Sequence, residues 1–229
     1  MVVLPPEPCP AAQEVRALDL RVAPMALSDA PGYGQQLVTT AQGPPILPRY
    51  CVWVEPPRSA APSRWEERWR QGIDQSLKAW EQLLPITRVA DPQRAHVRIE
   101  RRRPPRRQLA EGWRASNGRS LLETLKVRRE GAWRLEPRVT VLVSPELRAS
   151  VLQATALHEL GHAFGLWGHS DDPGDAMAVS QGRQPVLQLS ARDRLTLQWL
   201  YQQPTQFGRL VGADISPEAP FSADSVTRP

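Results

Sequence analysis

Two histidines four residues apart constrain this chain more than any other feature. They are His158 and His162, in residues 156–177, which read ALHELGHAFGLWGHSDDPGDAM. Residues four apart lie on one face of an α-helix, about 6 Å apart along its axis. Both imidazoles can therefore reach one metal ion from a rigid frame, and the spacing predicts a zinc-binding helix.

The residues around this pair complete the pattern of a zinc hydrolase. Glu159 lies one step around the helix from the first histidine, where its carboxylate can reach a water on the metal without being a ligand. That is the position of a general base. Gly165 can adopt a positive φ that ends the helix and reverses the chain. We expect His169 to return as the third ligand, with Asp171 or Asp172 next in reach.

This stretch resembles the zinc site of the metzincin metallopeptidases, and most closely that of their matrixin branch. The family pattern is H-E-x-x-H-x-x-G-x-x-H followed by a methionine turn. Four positions of this sequence match it one for one: His158, Glu159, His162 and Gly165. The third histidine, His169, comes one residue later than in the family, so we infer one extra residue in the loop 166–168, absorbed at Gly168.

The resemblance continues beyond the third histidine. Met177 stands eight residues after His169, as does the methionine of the family's turn. In the family this residue is a packed floor under the metal and not a ligand, so it is also an ordinary core methionine. Ala178 stands where matrixins usually have tyrosine. Residues 189–201 are similar to the last helix of matrixin domains, and the resemblance as a whole covers residues 139–205.

The resemblance implies both a fold and an activity. The fold is a metzincin-like α/β (α+β) domain, in which a twisted mixed sheet has a backing helix and an active-site helix. A small carboxy-terminal subdomain holds the methionine turn and the terminal helix. The activity is that of a zinc-dependent metalloendopeptidase, which hydrolyses an extended peptide or protein through a zinc-bound water. Glu159 would be its general base, and one Zn²⁺ would be held by His158, His162 and His169.

Upstream of the motif, periodicity predicts the sheet and its backing helix. Tyr50–Val54 is a short apolar run typical of a buried strand. Residues 63–84 form the clearest helix, opened by a capping box of Ser63 and Glu66. One face of it carries an apolar stripe, which we interpret as core: Trp65, Trp69, Ile73, Leu77, Trp80 and Leu84.

Four further strands are predicted, at residues 86–89, 95–100, 119–128 and 138–144. The last two would form a hairpin joined by residues 129–137. In metzincins an antiparallel edge strand borders the cleft and pairs with the substrate, and residues 119–128 are our candidate for it. His96 fits a satisfied strand residue better than a second metal ligand. Nothing in this region resembles the matrixin loop that holds structural metals, so we predict one metal.

Composition suggests how the chain is divided. Nine of the 24 prolines lie in residues 1–48, which we interpret as an arm or pro-segment that lacks order unless it docks. Residues 49–205 are the expected catalytic domain, and residues 206–229 a flexible tail. We expect a monomer.

The net charge of +5 leaves a second class of function open. Most of the excess lies in the loop 100–107, ERRRPPRR, which is a solvated loop or a polyanion-binding surface. No aromatic residues interleave these arginines, so we do not expect nucleic acid as a partner. A zinc-binding pseudo-peptidase or interaction module is the other alternative to an active enzyme.

The compartment is not determined by the sequence. Cys9 and Cys51 are compatible with a disulfide, with two free thiols, or with a Cys9 that ligates zinc and keeps the enzyme latent. No apolar run approaches eighteen residues, so no membrane span is expected. Residues 1–20 show no signal-peptide pattern, whereas the family resemblance suggests an extracytoplasmic or secreted protein.

Overall fold

Strands and helices alternate along the computed structural model, which describes residues 9–19, 22–25, 30–109, 112–114, 116–180 and 184–212. The strands are β1 (Glu14–Leu18), β2 (Val22–Pro24), β3 (Val38–Thr40), β4 (Tyr50–Val54), β5 (Ile86–Arg88), β6 (Val97–Glu100), β7 (Arg107–Leu109), β8 (Gly112–Arg114), β9 (Gly118–Arg129) and β10 (Ala132–Val143). The helices are α1 (Arg64–Glu81), α2 (Ala149–Ala163) and α3 (Ala191–Leu200).

Six of the strands form one mixed sheet in the order β1-β9-β10-β6-β4-β5. The pairs β10-β6, β6-β4 and β4-β5 are parallel, whereas β9 runs antiparallel to both β10 and β1. The pairs β2-β3 and β7-β8 form two small antiparallel ribbons. This mixed sheet with its helices confirms the predicted α/β fold class.

Helix α1 forms where the capping box and the apolar stripe predict it. The Ser63 hydroxyl accepts a hydrogen bond from the Glu66 amide, and the Glu66 carboxylate accepts one from the Ser63 amide. The indole N–H groups of Trp69 and Trp80 reach the carbonyl oxygens of Val143 and Leu157, which ties α1 to β10 and α2.

One member of the stripe was interpreted wrongly. Trp65 is 57% exposed, with the Arg68 guanidinium 4.0 Å from its ring centroid. It lies in the first turn of α1, one turn before the first buried residue, Trp69. At that end of the helix the amphipathic period extends beyond the core.

The predicted loop over residues 129–137 is also wrong, because most of it is strand. Only Glu130 and Gly131 form the turn between β9 and β10, both with positive φ, as in the tight hairpin turns whose twist matches that of the strands. Pro137 is tolerated inside β10 because its nitrogen faces away from β9. It also precedes Val139, where the pairing with β6 begins.

The described parts of residues 1–48 are docked on the sheet and the core. β1 pairs with β9, and a disulfide joins Cys9 to Cys51 in β4. Five residues that follow β1 in this segment are buried in the main core: Met25, Tyr33, Leu37, Ile46 and Leu47. Residues 1–48 were expected to be ordered only if they dock, and the described parts of this segment are docked. The proposed boundaries of arm, domain and tail stay a prediction.

The first residues of the predicted tail also contact the sheet. The amides of Gly208 and Val211 donate to the carbonyl oxygens of Leu135 and Trp133 in β10, and Phe207 is buried. Residues 213–229 lie outside the described residues. Within the part of the chain that the structure describes, none of the helices has the length and apolar character needed to cross a bilayer.

Candidate metal centre

Helix α2 carries the motif and lies against α1 and the β9-β10 hairpin. It also packs closely against the methionine turn. A Cβ atom on Gly161 would overlap the sulfur of Met177 and press on the Trp80 ring, so glycine is required for this approach. Met177 is fully buried at this contact.

The imidazoles of His158, His162 and His169 converge on one point. Their candidate ligand atoms all lie within 4.8 Å of one another. In the two helical histidines Nδ1 donates to a backbone carbonyl, that of Ala176 at 2.9 Å and that of Leu166 at 2.7 Å. These bonds orient the rings and leave Nε2 as the free nitrogen in each.

This donor set fits a metal such as zinc. Burial lowers the pKa of His158 to about 4 and that of His162 to about 3, with neighbouring histidines adding to both shifts. Burial also lowers the pKa of His169. The three rings are therefore neutral at pH 7, which is the form that binds metal. Three imidazole ligands are the donor set of open, catalytic zinc sites.

The one extra residue before the third histidine is accommodated by the arm. Gly165 has φ +108° and reverses the chain after α2. The Val38 amide then donates to the Trp167 carbonyl, and a Cβ atom on Gly168 would collide with the Gln36 carbonyl. Trp167 in turn stacks on His162, with ring centroids 5.5 Å apart. The loop 166–168 is thus held between His162 and residues 36–38.

The two aspartates named as alternative third ligands point elsewhere. Asp171 and Asp172 are exposed and lie 2.6 Å and 3.9 Å from the Arg192 guanidinium. His169 is the residue that joins the helical pair.

Behind the methionine turn is a buried network that the sequence analysis did not find. The Asp193 carboxylate accepts hydrogen bonds from the Tyr33 hydroxyl at 2.8 Å and from the amides of Ala176 and Ser190. Since the Ala176 carbonyl holds His158, Asp193 supports this histidine through one residue, Ala176. The one local signal for Asp193 in the sequence is its spacing of three residues from Ser190, which is that of a helix cap.

Glu159 lies beside the histidines, with its carboxylate buried against β9. The Ser120 hydroxyl donates to it at 2.7 Å, and Gly118 leaves room for it because a Cβ atom there would press on the Glu159 side chain. Burial raises the pKa of Glu159 to about 7, although Ser120 and Arg119 lower it. An open cavity of about 370 Å³ begins at this carboxylate and is lined also by His158, Thr155 and Val179.

The remaining candidate residues have structural partners. His96 Nδ1 accepts a hydrogen bond from the Cys51 amide, and Nε2 lies 3.7 Å from Glu136, so this histidine is a satisfied residue. The Cys9 sulfur is bonded to Cys51 and is not available as a zinc ligand in this structure.

The basic loop is largely neutralised by the protein itself. Arg101 lies 3.5 Å from Glu55 and 3.1 Å from Glu66, and its guanidinium also lies over Trp69. Two more members of the loop form ion pairs, Arg102 with Glu100 and Arg103 with Glu146. These pairs favour the solvated-loop interpretation.

The fold and the site together are those of a metzincin-type domain: a mixed sheet, a helix with two histidines, a third histidine after a reversal, and a buried methionine below. The matrixin family model matches residues 59–202, which is more than half of the chain, and the chain belongs to the matrixin family. No curated protein matches it. Membership indicates a metallopeptidase that acts on peptides or proteins.

Proposed function

We propose that this protein is a zinc-dependent endopeptidase in which His158, His162 and His169 hold one Zn²⁺ and Glu159 is the general base. The observation that carries the proposal is the position of a buried carboxylate beside three convergent, neutral imidazoles, with Glu159 and His158 both lining an open cavity. This combination is what metal-assisted hydrolysis needs.

When bound, zinc supplies a Lewis acid that polarises the substrate carbonyl and lowers the pKa of water. Glu159 then takes a proton from the attacking water and delivers it to the nitrogen of the leaving amine as the peptide C–N bond breaks. Ser120 holds one carboxylate oxygen in place during both transfers. A nearby dication favours the ionised carboxylate, so Glu159 would be a base at neutral pH despite its burial.

The proposed substrate is an extended peptide that adds to residues 118–123 of β9, the part of this strand that does not pair with β1. Main-chain groups of an unpaired edge bind a peptide without requiring a particular sequence. The beginning of β9 borders the site through the contact of Ser120 with Glu159.

The test is cleavage of an unfolded protein by zinc-loaded enzyme, beside the Glu159→Ala variant and a chelated sample. We expect each control to lose at least about a hundredfold in rate, because it lacks the general base or the metal. Metal analysis should still find one zinc in Glu159→Ala, which separates loss of chemistry from loss of the site. Tight zinc binding without turnover in the parent would instead support the pseudo-peptidase.

We further infer that the protein works in an oxidising, extracytoplasmic compartment. The supporting observation is the disulfide between Cys9 and Cys51, a bond that reducing cytosol does not maintain.

A further inference from the structure

Strand β9 has two halves with different neighbours. Residues 124–128 pair with β1, whereas residues 118–123 have no partner on that side among the described strands. The Asn117 carbonyl accepts from the Ser144 amide on the β10 side, and the Arg128 carbonyl accepts from the Gln13 amide on the β1 side. Since main-chain groups alternate between the two sides of a strand, those of Gly118, Ser120 and Leu122 face the open edge.

β1 occupies the same edge that a substrate would use. Its last residue, Leu18, pairs with Thr124, whose hydroxyl donates to the Leu18 carbonyl at 2.6 Å. A peptide that adds antiparallel to β9, in the orientation that β1 itself adopts, has its amino-terminal part directed toward Leu18. Peptide and β1 would therefore form one interrupted strand, with the gap between them at residue 124.

β1 is fixed at its other end. The disulfide of Cys9 joins the preceding residues to β4, and the Arg129 guanidinium donates to the Pro10 carbonyl. The Gln13 side chain accepts from the Gly131 amide in the hairpin turn. These anchors keep β1 on the edge when a peptide arrives.

We propose that β1, ending at Leu18, is a fixed stop that limits the enzyme to about four substrate residues on the amino-terminal side of the scissile bond. The contact of Ser120 with Glu159 places the scissile bond beside residue 120, and β1 ends opposite residue 124. One substrate residue opposite each of the strand residues 120–123 gives the count of four. A cavity of about 640 Å³ lies at the junction, lined by Leu18, Val38, Leu122 and Trp167, and receives the leading residues of the peptide. The proposal rests on the peptidase function proposed above.

The first experiment measures kcat/KM for peptides with one common carboxy-terminal half and two, four, six or eight residues before the scissile bond. The variant lacks residues 1–19 and carries Cys51→Ser. The matched control is Cys9→Ser/Cys51→Ser, which loses the disulfide but keeps β1 with its other two anchors, at Pro10 and Gln13. For wild type and control, we expect kcat/KM to rise as the peptide is lengthened to four residues before the scissile bond. Further lengthening should change kcat/KM less than about twofold. For the deletion variant, residues five to eight should raise kcat/KM by about a further threefold to tenfold, because they form new main-chain hydrogen bonds with β9. An equal gain in wild type and deletion variant overturns the proposal.

The second experiment does not depend on turnover. Zinc-loaded Glu159→Ala is titrated with the same peptides, and amide hydrogen exchange is followed. We expect affinity to level off at four residues, with new protection at Ser120 and Leu122 and unchanged protection in β1. Displacement of β1 by the eight-residue peptide, or no binding to the edge, overturns the stop.

Two further outcomes are distinguishable. Binding with this length limit but no cleavage by wild type sinks the peptidase function and leaves the stop intact. If the deletion variant does not fold, Leu18→Pro replaces it, because proline removes the amide of the last β1 pair.

Discussion

At the scale of single residues, the proposed general base depends on one hydroxyl from the sheet. The Ser120 hydroxyl donates to Oε2 of Glu159 at 2.7 Å, and its oxygen also lies 2.9 Å from the Glu159 backbone carbonyl, so it holds the carboxylate close to α2. Burial alone raises the pKa of this carboxyl, and the hydrogen bond from Ser120 is the largest influence that lowers it. The serine therefore favours the ionised, basic form.

Replacing Ser120 with alanine should shift the pH profile of the enzyme. Without the donor the pKa of Glu159 rises, so the acid limb of kcat/KM moves to higher pH and the rate at pH 6 falls about threefold to tenfold. Ser120→Thr keeps a hydroxyl and should retain the wild-type limb. Steady-state kinetics between pH 5 and 8 make the comparison, and an unmoved acid limb in Ser120→Ala would contradict the assigned role.

At the scale of elements, the amino terminus of α3 organises the methionine turn. Asp193 is completely buried, and its carboxylate is shared by the capping box of α3, the amide of Ala176 and the hydroxyl of Tyr33. One side chain thus joins the arm, the turn and the last helix. Burial and the attached carboxylate together raise the pKa of Tyr33 far above its ordinary range, so its hydroxyl stays a donor.

Asp193→Ala should destabilise the protein strongly, because it leaves buried donors without an acceptor. We expect a loss of about 3 kcal/mol or more in the free energy of unfolding, together with weaker zinc binding through His158. Asp171→Ala is the control, since that exposed carboxylate pairs only at the surface and its loss should be nearly neutral. Denaturant unfolding and metal titration measure the two effects, and equal losses in both variants would refute the argument.

At the scale of the whole molecule, a cross-link closes a long segment over the core. The Cys9–Cys51 disulfide spans 42 residues, including β1 and residues 30–48. In the chain-entropy account, a closed loop of this length stabilises the folded state by about 4 kcal/mol. The Cys9→Ser/Cys51→Ser variant should therefore lose about 2–4 kcal/mol in the free energy of unfolding. It should unfold at a lower denaturant concentration than wild type. Unchanged unfolding midpoints would show that the arm adds no stability through this bond.

Stability should also depend on pH through His96. Burial lowers its pKa to about 4, an effect that Glu136 opposes and that Arg129 and Arg138 reinforce. As the pH falls from 6.5 toward 4, the unfolded chain takes up a proton that the folded chain does not, so stability decreases by up to about 3 kcal/mol.

The check on this prediction is the difference between wild type and His96→Asn, whose amide oxygen can replace Nδ1 as acceptor for the Cys51 amide. Because both proteins keep His158, His162 and His169, the contributions of these histidines cancel in the difference. Denaturant unfolding should show the two proteins converging as the pH falls. Parallel pH dependences would assign the acid sensitivity to other groups.

The sequence by itself determined what is local. The three histidines, Glu159 and the reversal at Gly165 lie within twelve residues. The helical period and the conformation of one glycine are local properties, and they are enough to predict that these residues come together. The backing helix could also be predicted, since a capping box marks its start and its apolar stripe repeats with the helical period. Family membership follows from these same segments.

Only the tertiary structure decided what holds and limits the site. Tyr33 meets Asp193 across 160 positions of sequence, Ser120 meets Glu159 across 39, and β1 pairs with a strand more than a hundred residues later. No period or spacing in the sequence predicts these contacts, because each depends on how separate elements pack. The turn at Glu130 was missed for a related reason. Residues 132–137 contain charged residues and a proline, so they resemble a loop until their partner strands are in place.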